Sequence, residues 1–293
     1  MNILVTGANG LLGRNLVEIL SKEHKIYALI RNKNKLNFAI NKNIYLIEND
    51  LVNIDLGVLP KDVDVVYYLA QSDRFREFPE GVDDIITVNI LAPNILAKWS
   101  IKNGVRKFIY TSSGGVYGNI SEPAKEYFVI NANEKIGFYL HSKLSAEMLL
   151  RNFANLFETF VILRPFFMYG KGQNKSMLIP RLIENVKNEK EIILNGKEGI
   201  KINPIYISDA ANAISKVINL QGEFIINIAG NEIISLKQLC YLIGKLVNKE
   251  PIFKINNIKQ NDLIADIEFM KKHLYSPIVN LETGIKKLIE DTT

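Results

Sequence analysis

Apolar residues along this chain fall into two alternating patterns. Short solid runs (NILVT at 2–6, IYALI at 26–30, IYLI at 44–47, VDVVYYL at 63–69, KFIYT at 107–111 and TFVIL at 159–163) predict strands, and IYALI, IYLI and VDVVYYL read as buried rather than half-exposed ones. Between them, apolar residues recur three or four apart. Leu12, Leu16, Ile19 and Leu20 mark a helix over 11–22, and further helices are predicted over 82–103 and 137–157. Gly104 sits where a helix C-terminal signal belongs. Strands and helices alternating in this way predict parallel βαβ units and an α/β fold, a doubly wound, Rossmann-like parallel sheet with helices on both faces.

The pattern changes after Arg164. A dinucleotide-binding domain is expected over 1–165, and a smaller, irregular substrate-binding lobe over 166–293, part of which returns to the large one. Its expected pieces are a helix near 176–188, a helix at 208–219 capped by Ser208, a strand at 223–228, and helices at 235–247 and 281–290.

The first strand runs into Thr6-Gly7-Ala8-Asn9-Gly10-Leu11-Leu12-Gly13, where the first helix opens. Gly7 suits a tight turn, Gly10 the close approach of a pyrophosphate, and Gly13 the packing of helix on strand. The free N–H groups at the helix start complete an anion site. A strand before and a helix after turn a glycine pattern into a dinucleotide fingerprint. Gly7, Asn9, Gly10, Leu11, Leu12 and Gly13 are therefore candidate cofactor residues, for NAD or NADP. NAD sites usually carry an acid at the end of the second strand, for the ribose 2′-hydroxyl. Here Arg31 stands there, followed by Asn32-Lys33-Asn34-Lys35. A cation suits a 2′-phosphate and tilts the choice to NADP, although an arginine stacked on adenine suits either.

Ser113 follows the strand KFIYT, at the sheet edge where ligands bind in open parallel sheets. Tyr139 and Lys143, i and i+4 on a predicted helix, share one face. A phenol with a pKa near ~10 is a poor base at neutral pH. A neighbouring ammonium stabilises the phenolate, so Tyr139 gains the means to move a proton while Ser113 holds the substrate oxygen. Tyr241 and Lys245 repeat the spacing but lack an upstream serine-bearing strand, so they are read as a chance pair. Ser72, just beyond the fourth strand, is a candidate substrate contact. The aromatic cluster Phe166-Phe167-Tyr169 reads as core, with Phe167 facing substrate.

Composition narrows the function classes. Apolar residues at 47% and charged residues at 23% describe an ordinary globular chain. The net charge of +5 is scattered, with no basic stripe interleaved with aromatics, so no nucleic-acid partner is expected. No apolar run has the length of a membrane span, and MNILVTGANG lacks the pattern of a signal peptide. One cysteine, Cys240, fits a reducing compartment, and the cytoplasm is expected. His24 and His273 have no ligand partners at metal spacing, and His141 points away from the Tyr139–Lys143 face, so no metal is expected.

Together, TGANGLLG, Asp50 after the third strand, DVDVVYYLAQ, Asn89, TSSGGVYG, YLHSK and LRPFFMYG resemble the extended short-chain dehydrogenase/reductases of the NAD-dependent epimerase/dehydratase family, in the family's order. The resemblance implies that Asp50 and Leu51 flank the adenine and that Leu69, Ala70 and Gln71 run along the cofactor. It implies that Asn89 and Ser112 support it, that Pro165 and Phe166 border the nicotinamide, and that Tyr139 and Lys143 also touch the cofactor. It implies catalysis by Ser113, Tyr139 and Lys143 on a nucleotide-linked sugar, and a homodimer packed through 82–103 and 137–157. Two departures stand out. Gly114 and Gly115 occupy the positions of the acid pair of sugar-nucleotide 4,6-dehydratases. Phe167 and INPIYISDAA replace an asparagine and a diphosphate-binding arginine. The expected activity is hydride transfer, either epimerisation or keto reduction and its reverse. The alternatives are reduction of a non-nucleotide carbonyl and a non-catalytic dinucleotide sensor or scaffold.

Overall fold

The computed structural model describes residues 1–258 and 260–291. In chain order the elements are β1 (Asn2–Thr6), α1 (Leu11–Leu20), β2 (Lys25–Ile30), β3 (Ile44–Glu48), β4 (Val65–Tyr68), α2 (Val82–Ile86), α3 (Ala92–Lys102), β5 (Lys107–Thr111), α4 (Phe138–Leu150), β6 (Thr159–Pro165) and β7 (Met168–Tyr169). There follow α5 (Leu178–Lys187), β8 (Ile192–Asn195), β9 (Lys201–Ile202), β10 (Ile205–Tyr206), α6 (Ile207–Lys216), β11 (Gly222–Ile228), β12 (Ile234–Ser235), α7 (Leu236–Val247), β13 (Phe253–Asn256), α8 (Glu268–His273) and α9 (Leu281–Asp291). Among the described residues no helix is long and apolar enough to cross a membrane.

The chain divides into two compact units. The first comprises 1–116, 131–164 and 211–226, and the second 117–130, 165–210 and 227–293. The first is built on a seven-stranded sheet in the order β11-β6-β5-β4-β1-β2-β3. The pairs joining β1 to β6 are parallel. These strands are the solid apolar runs of the sequence, and most are covered on both faces; β3, at the sheet edge, is a correction to the expected burial, because Tyr45 is half exposed and Ile47 only partly buried. Between the sheet and α3 and α4 lies a core that includes Tyr68, Leu96, Phe108, Tyr110, Leu150 and Phe160. The second unit holds three two-stranded pairings, β7 with β10, β9 with β12 and β8 with β13. Ser235 begins α7 with a capping box closed by Gln238, and Cys240 is buried on that helix.

Two further expectations need correction. Ser208 does not stand at the N-cap position of its helix. β10 ends at Tyr206 and α6 begins at Ile207, which leaves Ser208 inside the first turn. The helix expected over 82–103 is also not continuous α-helix, because Thr87–Leu91 form a π-turn between α2 and α3. The π-turn has a physical use. Tyr68 Oη donates to the Val88 carbonyl at 2.5 Å and Tyr110 Oη to that of Asn89 at 3.4 Å, so two phenols buried by the sheet find acceptors in the bulge.

Asn89 is buried at the centre of this turn. Its Oδ1 accepts from the Ser72 amide at 3.0 Å, and its Nδ2 donates to Ser142 Oγ at 2.9 Å. Ser142 Oγ donates in turn to the Tyr139 carbonyl at 2.7 Å. One side chain thus ties the loop after β4 to α4. Asn89→Leu preserves volume but strips the Ser72 amide of its partner, and is expected to cost about 1–3 kcal/mol of stability in urea unfolding. An unchanged midpoint would deny Asn89 this bracing role.

Candidate active site

β1 lies between β2 and β4, so the connections leaving β1 and β4 part in opposite directions and open a crevice at the C-terminal edge of the sheet. Thr6 Oγ1 accepts from the amides of Leu69 at 3.2 Å and Ala70 at 3.3 Å, fastening the end of β4 to that of β1. Gly7 has φ +64, and a Cβ there would stand 2.9 Å from the backbone N and Cα of Ala70. A Cβ on Gly13 would stand 2.1 Å from the Gly7 carbonyl oxygen. Both glycines are needed for the two chains to pass this closely. Gly10 opens α1 without a side-chain cap, and no acid occupies the first turn. The leading N–H groups are left for an anion.

At the end of β5 two buried hydroxyls, Thr111 Oγ1 and Ser112 Oγ, have no hydrogen-bond partner. A glycine-walled cradle, an open helix start and unpaired buried hydroxyls match the phosphates and sugar hydroxyls of a dinucleotide, so the residues present fit NAD(P). Around the cradle, Asn9 is engaged with the loop after β2, donating to the Lys35 carbonyl at 2.6 Å and accepting from the Asn37 amide at 3.0 Å. Leu12 is buried and Leu11 partly so. Asp50 caps a short turn by accepting from the Val52 amide at 3.0 Å, and Leu51 is buried beside it. Arg31 is ion-paired with Asp73, and the carboxylates of Asp50 and Asp84 add to the negative field around it.

Helix α4 starts at Gly137, whose φ of +91 and ψ of 155 are open to glycine and to few other residues. The helix carries Tyr139 and Lys143 on successive turns. Tyr139 Oη donates to Gln71 Oε1 at 2.9 Å, and its phenol is also hydrogen-bonded to Ser113. Lys143, 1% exposed, donates from Nζ to the Thr111 carbonyl at 3.0 Å and stands 5.2 Å from the centre of the Tyr110 ring. Ser113, Tyr139, Lys143 and Gln71 thus converge at the ends of β4 and β5. Burial pushes the Tyr139 phenol up to about 12, against the pull of the Arg76 guanidinium and the Ser113 hydroxyl. Burial pushes the Lys143 ammonium down to about 7, and the Glu147 carboxylate works the other way. Glu147 lies one turn beyond Lys143, buried, and accepts from Arg164 Nε at 3.1 Å and Nη2 at 2.6 Å.

Other candidates are located differently. Ser72 is buried with its hydroxyl donating to Asp84 and accepting from the Arg74 amide at 3.0 Å, so it braces its own loop. His141 Nδ1 lies 3.0 Å from the Gly137 carbonyl. Pro165, Phe166 and Phe167 belong to the second unit. There Phe166 is buried and its amide donates to the Ile228 carbonyl at 2.9 Å, while Phe167 adopts φ 42. Tyr241 and Lys245 are also in the second unit. Tyr241 is half exposed against Phe253, and Lys245 pairs with Glu282 at 3.6 Å, with no serine in the arrangement. Sequence reasoning missed the Gln71 contact to Tyr139, the Arg31–Asp73 pair and the Glu147–Arg164 pair. Only the last left a trace, as the i, i+4, i+8 spacing of Tyr139, Lys143 and Glu147.

The buried amine makes a pH prediction. Its folded value, about 7, lies below the ordinary 10.5, so between these values the unfolded chain binds more protons and stability rises with pH. Relative to Lys143→Met, the wild-type protein is expected to gain about 2 kcal/mol of unfolding free energy from pH 7 to pH 9 in urea titrations. A constant difference between the two proteins would mean that burial does not hold Lys143 near neutrality.

Comparison with known proteins places this geometry. The dTDP-4-dehydro-6-deoxyglucose reductase of Escherichia coli is 29% identical over 98% of this chain and 96% of its own length. The uncharacterized UDP-glucose epimerase YtcB of Bacillus subtilis is 28% identical over 97% and 96%. Among solved structures, the UDP-glucuronic acid 4-epimerase from Bacillus cereus, in complex with UDP-glucuronic acid and NAD, superposes with a TM-score of 0.86 at 27% identity, covering 99% of this chain and 98% of that one. The model of the NAD dependent epimerase/dehydratase family matches residues 3–229. With its seven-stranded Rossmann-like sheet and glycine cradle, the chain belongs to the NAD-dependent epimerase/dehydratase family.

Proposed function

We propose that this protein moves a hydride reversibly at a hydroxyl-bearing carbon of a nucleotide-activated sugar, with NAD as cofactor, and that the outcome is epimerisation of that carbon. The observation that carries the reading is the convergence of Ser113, Tyr139 and Lys143 at the sheet edge that also bears the glycine cradle. The substrate class is supported by the three relatives named above, each of which concerns a nucleotide sugar.

NAD, when bound, supplies the hydride acceptor and later the donor. The protein's residues handle the proton. Ser113 holds the substrate oxygen, Tyr139 takes its proton as the hydroxyl becomes a carbonyl and returns it on reduction, and Lys143 favours the phenolate and anchors the cofactor's ribose. Gly7, Gly10 and Gly13 cradle the pyrophosphate, while Asp50, Leu51, Leu69, Ala70, Gln71 and Ser112 line the rest of the dinucleotide. Gly114 and Gly115 bring no acid to the position after Ser113, so elimination of a hydroxyl has no proton donor there. A ketoreductase would use the same cluster, and the Escherichia coli relative favours that second reading.

We infer a preference for NAD over NADP because Arg31 is already paired with Asp73 and also feels the carboxylates of Asp50 and Asp84, charges that would repel a 2′-phosphate. We also propose a cytoplasmic homodimer. Leu91, Ile95, Met148 and Leu149, on the π-turn, α3 and α4, are exposed apolar side chains that a second copy would cover.

Three experiments test the reading. Tyr139→Phe is expected to lower turnover of a UDP-sugar panel by about 10²–10⁴ while NAD affinity and stability hold, whereas Tyr241→Phe changes nothing. Full activity in Tyr139→Phe would sink the assignment. Interconversion without added cofactor marks an epimerase, and stoichiometric oxidation of NADH a reductase. In calorimetry NAD should bind more tightly than NADP, and Asp73→Asn should narrow the gap. A tighter NADP in the wild-type protein would restore a phosphate-reading role for Arg31.

A further inference from the structure

We infer that Arg76 is a positioning residue for the proton-transfer tyrosine, seated on the Phe75 ring so that a permanent positive charge faces Tyr139 from outside α4. The inference rests on the reading of Tyr139 given above. Its geometry lies in the loop after β4. The Phe75 ring packs on the Tyr139 ring with centroids 5.1 Å apart, and the Phe78 ring on that of Phe138 at 5.1 Å, so two aromatic contacts dock the loop on the first turn of α4. Arg76 Cζ lies 4.9 Å from the Phe75 centroid, within cation–π range. The start of the loop is held independently by Ser72, through Asp84 and Asn89.

The charges around Tyr139 explain why a second cation matters. On α4, Lys143 is bonded to the Thr111 carbonyl and burial brings it to about 7, so its charge fades as the pH rises to where a phenol begins to ionise. Glu147, further along the helix, is paired with Arg164 of β6. From the sheet, Tyr68 and Tyr110 face the helix as phenols that burial keeps neutral. Ser113 and Gln71 are neutral hydrogen-bond partners, and because Tyr139 donates to Gln71 that bond favours the protonated phenol. From the loop, Asp73 is paired with Arg31, and Arg74 with Glu77 at 2.7 Å. Arg76 is the cation whose field lowers the proton affinity of Tyr139. A guanidinium keeps its charge throughout the working pH range, which an amine at about 7 does not.

The test follows Tyr139 itself. In the full-length, NAD-loaded protein with tyrosine labelled by carbon-13 at Cζ, the Tyr139 signal is identified by its loss in Tyr139→Phe and followed by NMR from pH 7 to pH 12, where a phenol at about 12 ionises. Arg76→Met is expected to move its ionisation upward by about one pH unit. Arg76→Lys should restore most of the shift, and Arg74→Met should leave the wild-type curve. Phe75→Leu, which keeps the charge but removes its seat, should give part of the Arg76→Met shift. Coincident curves for wild type and Arg76→Met overturn the inference. Formation of NADH from UDP-glucose and UDP-glucuronic acid is measured on the same proteins. A Tyr139→Phe variant that still forms NADH overturns the proposed function instead, and the NMR curves then decide the Arg76 effect alone.

Discussion

An amine sealed from water imposes its terms on everything near it. Lys143 lies under the edge of β5 with a single backbone carbonyl, that of Thr111, to receive its proton donors. A buried ammonium with so few partners is costly, and the chain meets that cost in two ways. The amine approaches neutrality, and Glu147 is kept within electrostatic reach. Glu147 is itself a buried charge, which is why Arg164 of β6 must hold both its oxygens. The helix bearing Lys143 thus depends on a strand that would otherwise have no reason to carry a cation into the core.

The same economy of partners shapes the π-turn. Tyr68 and Tyr110 bury large rings that the sheet needs for its packing, and each brings a hydroxyl that must find an acceptor. Widening the helix by one residue per turn frees the carbonyls of Val88 and Asn89. It also turns Asn89 inward, where its amide links the loop after β4 to α4. Packing of the core and registration of the candidate catalytic helix are therefore settled by one irregularity.

Legibility in the sequence followed sequence distance. The glycine loop and the Tyr139–Lys143 pair are local patterns, readable because a turn or a helix face fixes their geometry from spacing alone. Tyr139 with Gln71 is separated by 68 residues, and Arg31 with Asp73 by 42, and no local rule joins such partners. Arg31 read in isolation suggested a phosphate site, and its pairing with Asp73 came from a residue that spacing does not bring near it. The π-turn left no mark on the hydrophobic pattern, because α2 and α3 bury the same side on either side of it. The segment 117–130, grouped with the unit that is not its sequence neighbour, was likewise invisible to a reading that proceeds along the chain, whereas a return of part of the second lobe to the first was expected without its position at 211–226.

The Thr111 carbonyl has a consequence for what an affinity measures here. An ammonium carries three N–H donors, and the carbonyl takes one, so it fixes where the other two point. A ribose hydroxyl that takes one of them meets a donor already aimed, and little side-chain freedom is lost when the bond forms. The strength of that attachment therefore reports how well a ligand oxygen matches a preset direction, and discrimination among ligands comes with it.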